Sequence, residues 1–433
     1  MNPLLLLMGS FFILIALKVP VAFALGLASL VTIYHLDLSF FSVVNQMYAS
    51  IDSFPLLAVP FFLLLGNLMN EGGVTDRLVK VSDALIGHIR GGLGHVNVLV
   101  SMLFAGLSGS AAADTAGIGA MLIPAMKKAG YDTPYTVAVT AASSTLGVII
   151  PPSIMMVIYG AMGQVSIGAL FLSGFIPGVL IGLSQMGYTY YLAVKRGYPA
   201  NPRKTLREMV QAIVRAIPPL LLPLIILGGI TAGIFTATEA AAVAVVYGLV
   251  LMMVVYRSLS FRQLPKLFGE AVVNYSLAML AVACAGVMGW LIAYLNAPQI
   301  IANYIMGVTQ SPLGIFLLIV VFLLIIGTFL SPITAIIIFL PIIQGLGNAA
   351  GIHPVHLGII VVLTLSLGMI TPPYGICLLI ACQIGEIPAP RAFIATLPMI
   401  GLTLLIIFLG ILIPDLFLLL PKLLMPQLMR SLK

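Results

Sequence analysis

The sequence predicts an all-α polytopic membrane protein arranged as an inverted repeat, with two re-entrant hairpins and two broken helices. Apolar residues make up 61% of the 433 and charged residues only 7%, whereas a soluble domain is about a quarter charged. Two proline pairs, Pro151-Pro152 and Pro372-Pro373, interrupt long apolar segments. Lys and Arg flank the first candidate hairpin, while none lies between Asn296 and Gly385, around the second.

Each proline lacks an N–H and clashes with the preceding turn, so no helix runs unbroken through such a pair. Backbone carbonyls freed at membrane depth are tolerated only where they line a cavity or meet an ion. Gly147, Pro151 and Pro152 stand 221 residues before Gly368, Pro372 and Pro373, and the same offset carries Gly130 onto Gly351 and Pro177 onto Pro398. That is an extended internal repeat, the pattern of secondary transporters with a midplane site.

In chain order, residues 3–17 and 19–36 read as spans hinged near Lys18-Val19-Pro20. Residues 39–53 are mixed and suit the interface; 55–70 span again. Residues 71–92 alternate charge with Val79, Val81, Leu85 and Ile86, an amphipathic helix expected to lie flat on the membrane surface. Residues 93–128 hold two short apolar runs around Ser108-Gly109-Ser110. They form either a re-entrant hairpin or an ordinary one with its turn outside the membrane. Residues 133–163 hold the first break and 166–194 a long span. A basic loop (Lys195, Arg196, Arg203, Lys204, Arg207, Arg215) separates the halves. Spans at 216–233 and 237–256 lead to a basic surface helix around Arg257, Arg262 and Lys266; 273–296 spans. The second hairpin covers 312–347, the second break 354–384, a last span 392–413, and an amphipathic tail ends at Lys433.

The positive-inside rule puts the basic loop in the cytoplasm. The first hairpin then opens from the cytoplasm, the second from outside, and both termini face outside. The net charge of +7 reflects these loops and implies no nucleic-acid partner.

Carbonyls near the two breaks, with hydroxyls of Ser143, Ser144, Thr145 and Thr371, make a nearly neutral all-oxygen cage. Hard cations prefer oxygen, and few carboxylates suit Na⁺ better than Ca²⁺. Helix N-termini facing a cavity favour an anionic substrate. Asp114 is either functional, as an intramembrane carboxylate usually is, or a structural acid bonded to backbone or water. Glu239 reads as a helix cap, Asp415 as interfacial, and Trp290 as packing or an interfacial anchor. His353 and His356 fall in a predicted outer loop, as solvated histidines or a metal pair. Cys284, Cys377 and Cys382 read as buried thiols. No His-Glu-x-x-His, phosphate-binding loop or Asp-rich pair is present, so the chain is expected not to be an enzyme and to draw energy from a gradient or another chain.

Ser-Gly-Ser-Ala-Ala-Ala-Asp-Thr-Ala-Gly-Ile-Gly (108–119), Gly-Val-Ile-Ile-Pro-Pro-Ser (147–153) and Leu-Gly-Met-Ile-Thr-Pro-Pro-Tyr-Gly (367–375) resemble the large membrane (M) subunit of tripartite ATP-independent periplasmic (TRAP) transporters. Gly-Gly-Leu-Gly (91–94) and Ala-Gly-Tyr (129–131) fit as well. The resemblance implies an ion-transporter-like, elevator-type fold in the bacterial inner membrane. Scaffold would occupy 1–70, 195–272 and 273–296, with arm helices at 71–92 and before 273. The transport repeats would be 93–194 and 297–413, and the tail 414–433. It implies as partners a small four-helix membrane subunit, a periplasmic substrate-binding protein and membrane lipid, and Na⁺ as coupling ion. One sodium site would use Ser108, Ser110, Gly147, Ile150 and Pro152; a second Gly327, Gly368, Thr371 and Tyr374. An organic acid anion would sit between the tips, near Ser110, Asp114, Ser143, Ser144, Thr328, Ser331 and Thr334. Many dicarboxylate-type members carry Gly-Pro-Ala-Thr after Ser-Gly-Ser; Ala-Ala-Ala-Asp here is closer to members handling sugar acids such as sialic acid. The second tip, Leu-Ser-Pro-Ile-Thr, lacks an acid often found there. The expected function is Na⁺-coupled uptake of a carboxylate; the rivals are a stand-alone symporter or exchanger and, from another class, a membrane enzyme.

Overall fold

The computed structural model describes residues 2–309 and 311–431, and every regular element among them is helical. Eight of these helices are long and apolar enough to cross a membrane. Pro3–Ala16 and Val21–His35 pack on each other around Lys18, whose φ of 62° makes the hinge. Phe41–Ile51 has no buried residue and exposes Phe41, Val44 and Tyr48, as an interfacial segment should. The spans Phe54–Glu71 and Ala237–Val255 pack together beside Leu264–Tyr294.

Several boundaries differ from the sequence reading. The helix expected at 216 starts at Leu206, because Thr205 and Glu208 form a reciprocal cap that nucleates it ten residues earlier. Arg207 and Arg215 therefore lie on a helix, not in a loop. Thr236 and Glu239 repeat the device, so Glu239 is a cap. The basic surface helix near Lys266 is no separate element: Leu264–Tyr294 runs 31 residues unbroken, its first turns simply carrying the charge. Ala297–Val308 is an additional helix. The arm helix, Val74–Ile86, buries Val74, Leu78 and Val81 against Gly92–Ser108 and Leu206–Thr231; its apolar stripe meets protein. His356 is buried inside Pro354–Gly368 with its Nε2 2.9 Å from the Gly410 carbonyl, and His353 caps that helix, so neither is a solvated loop residue. No metal-binding cluster occurs among the described residues. All three cysteines are buried and free. Lys433, the end of the predicted tail, lies outside the described residues.

The repeat is plain in the helices. Gly92–Ser108 and Ala111–Lys128 form the first hairpin; Pro312–Phe329 and Pro332–Ala349 form the second. Thr133–Ser144 and Ile154–Gly163 flank the first break; Pro354–Gly368 and Ile376–Gly385 flank the second. Both proline pairs are cis, and Gly130 and Gly351 turn with φ of 85° and 66°. The broken helices end in left-handed residues, Gln164 and Glu386, now 222 apart because the second break takes one more residue, Gly375.

The two repeats interlock. Ile376–Gly385 packs on the first hairpin's second helix, and Ile154–Gly163 on the second hairpin's. Each contact ends in a hydrogen bond: Lys127 Nζ donates to the Gly385 carbonyl at 3.0 Å, and Gln344 Nε2 to the Gly163 carbonyl at 2.9 Å. The first broken helix thus starts beside the base of one hairpin and ends at the base of the other; the second does the reverse. Opposite polarity of the repeats follows directly. Lys127→Ala is expected to lower thermal stability by about 1 kcal/mol, because a cation is lost from a helix C-terminus and its carbonyl from a partner. Lys128→Ala should leave the unfolding midpoint in detergent unchanged.

Candidate ion and substrate site

At the first break, the carbonyls of Gly147 and Val148 would, in an unbroken helix, meet the N–H groups of residues 151 and 152, and prolines have none. Val148 is compensated, accepting from Ser153 Oγ at 2.6 Å. The main chain tightens into a 3₁₀ turn over Thr145–Val148, with the Ile149 and Ile150 amides both on the Leu146 carbonyl. Gly147 O keeps no helical donor, and the hairpin tip docks there. A Cβ on Gly109 would lie 3.1 Å from the Pro152 carbonyl. Ser110 caps the hairpin's second helix, accepting from the Ala113 amide at 3.4 Å.

Asp114 is fully buried at this junction. Ser108 Oγ donates to its Oδ1. Its Oδ2 has no hydrogen-bond partner and lies against Gly147: a methyl there would sit 3.0 Å from Asp114 Cγ and 3.2 Å from the Ala111 amide. A buried carboxylate oxygen without a partner is costly, so this oxygen is one that could hold a proton or a cation. Thr115 donates to its own helix, to the Ala111 carbonyl at 2.8 Å, and also meets the Cys377 thiol from the second break. Elements of both repeats therefore converge on Asp114.

At the second break the compensation differs. Met369 O, the counterpart of Val148 O, accepts from the Cys377 and Leu378 amides at 2.9 and 3.4 Å. Thr371 Oγ1 donates to Leu367 O at 2.8 Å. The hairpin tip is stitched to the break by the Tyr374 amide on Thr328 O at 2.8 Å. Gly327 and Gly368 meet backbone to backbone: a Cβ on Gly368 would overlap the Gly327 carbonyl, 2.7 Å from its carbon and 2.9 Å from its Cα. Ser331 caps the hairpin's second helix and bonds Thr334 Oγ1 at 2.7 Å. Tyr374 reaches Ser331, and Thr328 Oγ1 donates to Ile325 O at 2.7 Å.

The predicted groups are thus brought together in two clusters, one around Ser108, Ser110, Asp114, Gly147 and Pro152, the other around Gly327, Thr328, Gly368, Thr371 and Tyr374. Ile150 lies in the same break, its side chain packed on Gly178. Ser143 and Ser144 make other contacts. They are fully buried in a seam between hairpin and broken helix. Ser143 Oγ pairs with Ser101 at 2.9 Å and donates to Asn97 at 3.2 Å, while Ser144 donates to Thr140 O at 2.7 Å. The Ser143 contacts tie the broken helix to the hairpin, while the Ser144 bond stays within its own helix. Sequence reasoning missed the partners Asn97 and Ser101; polar residues four apart on an otherwise apolar helix were the available signal.

Residues 8–416 match the family profile described as "Tripartite ATP-independent periplasmic transporter, DctM component". The chain belongs to the TRAP transporter family, as a large permease. It is 40% identical to the sialic acid TRAP transporter large permease protein SiaM of Vibrio cholerae, over 93% of this chain and 95% of that one. It is 39% identical to the C4-dicarboxylate large permease protein DctM of Pseudomonas aeruginosa, over 88% and 89%. Among solved structures, the YdaH transporter of Alcanivorax borkumensis has a TM-score of 0.59 at 16% identity, over 86% of this chain and 87% of that one, which shows a shared transporter fold. As a TRAP large permease the chain is an integral inner-membrane transporter subunit, not an enzyme.

Proposed function

We propose that this TRAP permease imports an organic acid anion, coupled to Na⁺. A periplasmic binding protein delivers the anion, and a small four-helix membrane subunit assists. The reading rests above all on the docking of each hairpin tip at a proline break, with Asp114 Oδ2 left unpartnered beside Gly147. Two cation sites, one per repeat, follow from the two breaks. The substrate lies between the tips and crosses with the interlocked repeats in an elevator movement. The membrane potential contributes about 2.3 kcal/mol per charge per 100 mV, so two or more Na⁺ ions suffice to draw an anion inward. Relatives named for sialic acid, C4-dicarboxylates and 2,3-diketo-L-gulonate make these three the substrates to try, with the Ala-Ala-Ala-Asp tip supporting the sugar acids.

The test is uptake into proteoliposomes with an imposed Na⁺ gradient. Uptake is expected only with Na⁺ outside and the binding protein present. Equal uptake with K⁺ in place of Na⁺ would remove the coupling ion; transport of free substrate by the single chain would make it a stand-alone symporter.

A further inference from the structure

A cavity lies away from both breaks, at the level of the basic loop. Its volume is about 500 Å³, and its charged walls are Asp132, Arg196 and Arg391. Arg391 is the sole Lys or Arg between residues 297 and 421. The Lys127–Gly385 contact already brings this end of the second broken helix to the base of the first hairpin. The charge rule makes that face cytoplasmic, a placement independent of the transport reading.

We propose that this cavity binds the phosphate of an anionic membrane lipid. Asp132 is neutralised within the protein: it pairs with Arg196 and accepts from Tyr198 Oη at 2.8 Å. Arg391 is then the surplus cation, exposed on the first turn of Ala389–Leu412. A guanidinium fork suits a phosphate bidentately. Two helix N-termini border the cavity, those of Thr133–Ser144 and Ala389–Leu412, since Thr133, Pro134 and Arg391 all line it. Asp132 occupies the N-cap position of the first but makes no side-chain cap bond, because its carboxylate is held by Arg196 and Tyr198. The rim continues into an apolar strip. Ile394 is 68% exposed, and Leu397, one turn further along the same helix, is 48% exposed. A charged pocket that opens onto a greasy strip at membrane level fits a headgroup with its acyl chains, whereas a soluble anion would gain nothing from the strip.

The test is a native mass-spectrometry titration of the delipidated full chain with dioleoyl phosphatidylglycerol and dioleoyl phosphatidylcholine. The anionic lipid is expected to bind on the order of tenfold tighter. Arg391→Gln should erase that preference, while Lys195→Gln, whose side chain lies over Tyr191 outside the cavity, should keep it. Equal binding of the two lipids by the wild-type chain would overturn the proposal, as would an intact preference in Arg391→Gln. Displacement of the lipid by millimolar inorganic phosphate would reassign the pocket to a soluble anion and overturn it too.

Discussion

Gly368→Ala is expected to reduce substrate uptake about a hundredfold while the chain still folds and inserts. The added methyl falls on the Gly327 backbone, 2.7 Å from its carbonyl carbon. No side chain rotates to make room, so the second hairpin must lift from the break. A displacement of about 1 Å at a reaction or binding site costs on the order of 10²-fold, and overpacking a tight contact costs about 1–3 kcal/mol. Gly327→Ala supplies the control. Its methyl would lie 3.5 Å from the Gly368 Cα, an ordinary van der Waals distance, so that variant should retain most activity. Both are measured by Na⁺-driven uptake at matched protein incorporation. Comparable losses in the two variants, or none in Gly368→Ala, would refute this account of the contact.

Asp114→Asn should weaken the Na⁺ response without loss of fold. The amide preserves the shape and can still accept from Ser108, so only the charge is removed. Two unit charges about 4 Å apart attract by on the order of 4 kcal/mol at an effective dielectric of 20, so Na⁺ affinity should fall at least about a hundredfold. A ligand that binds only the folded state raises its stability. The wild-type unfolding midpoint should therefore rise on exchanging KCl for NaCl at constant ionic strength. In Asp114→Asn the difference between the two salts should shrink to what the second site supplies. A wild-type Na⁺ shift in the variant would leave Asp114 as a structural acid and return the ion to backbone and hydroxyl oxygen alone.

Much of the fold was readable because proline acts locally. The absent N–H marks a break at Pro151-Pro152 and Pro372-Pro373, whose common offset exposes the repeat before any contact is known, although Leu206–Thr231 runs through Pro218-Pro219 unbroken. The tips were readable for a similar reason: Ser-Gly-Ser and Leu-Ser-Pro combine a helix stop with an N-cap. Other features depend on partners far along the chain. Ser143 looks like a free hydroxyl beside a break, and only the packing of Gly92–Ser108 shows its partners Asn97 and Ser101. The arm helix has the composition of a lipid-facing one, yet its apolar stripe is covered by Leu206–Thr231. Lys266 suggested a boundary, but a helix carries charge freely once it leaves the bilayer, and Leu264–Tyr294 does so. Lys127 and Gln344 bond carbonyls 258 and 181 residues away, and no local pattern announces such a pair.

Those two exchanged caps bear on how ions enter. Each hairpin is fastened to the far end of the opposite repeat, so if the breaks hold Na⁺ as proposed, a shift at one is passed to the other. Occupancy of one should ease occupancy of the other, and by linkage the favour is returned in equal measure. Sodium would then load cooperatively, so that a half-filled permease is the scarcest species and leak of ions without cargo is suppressed.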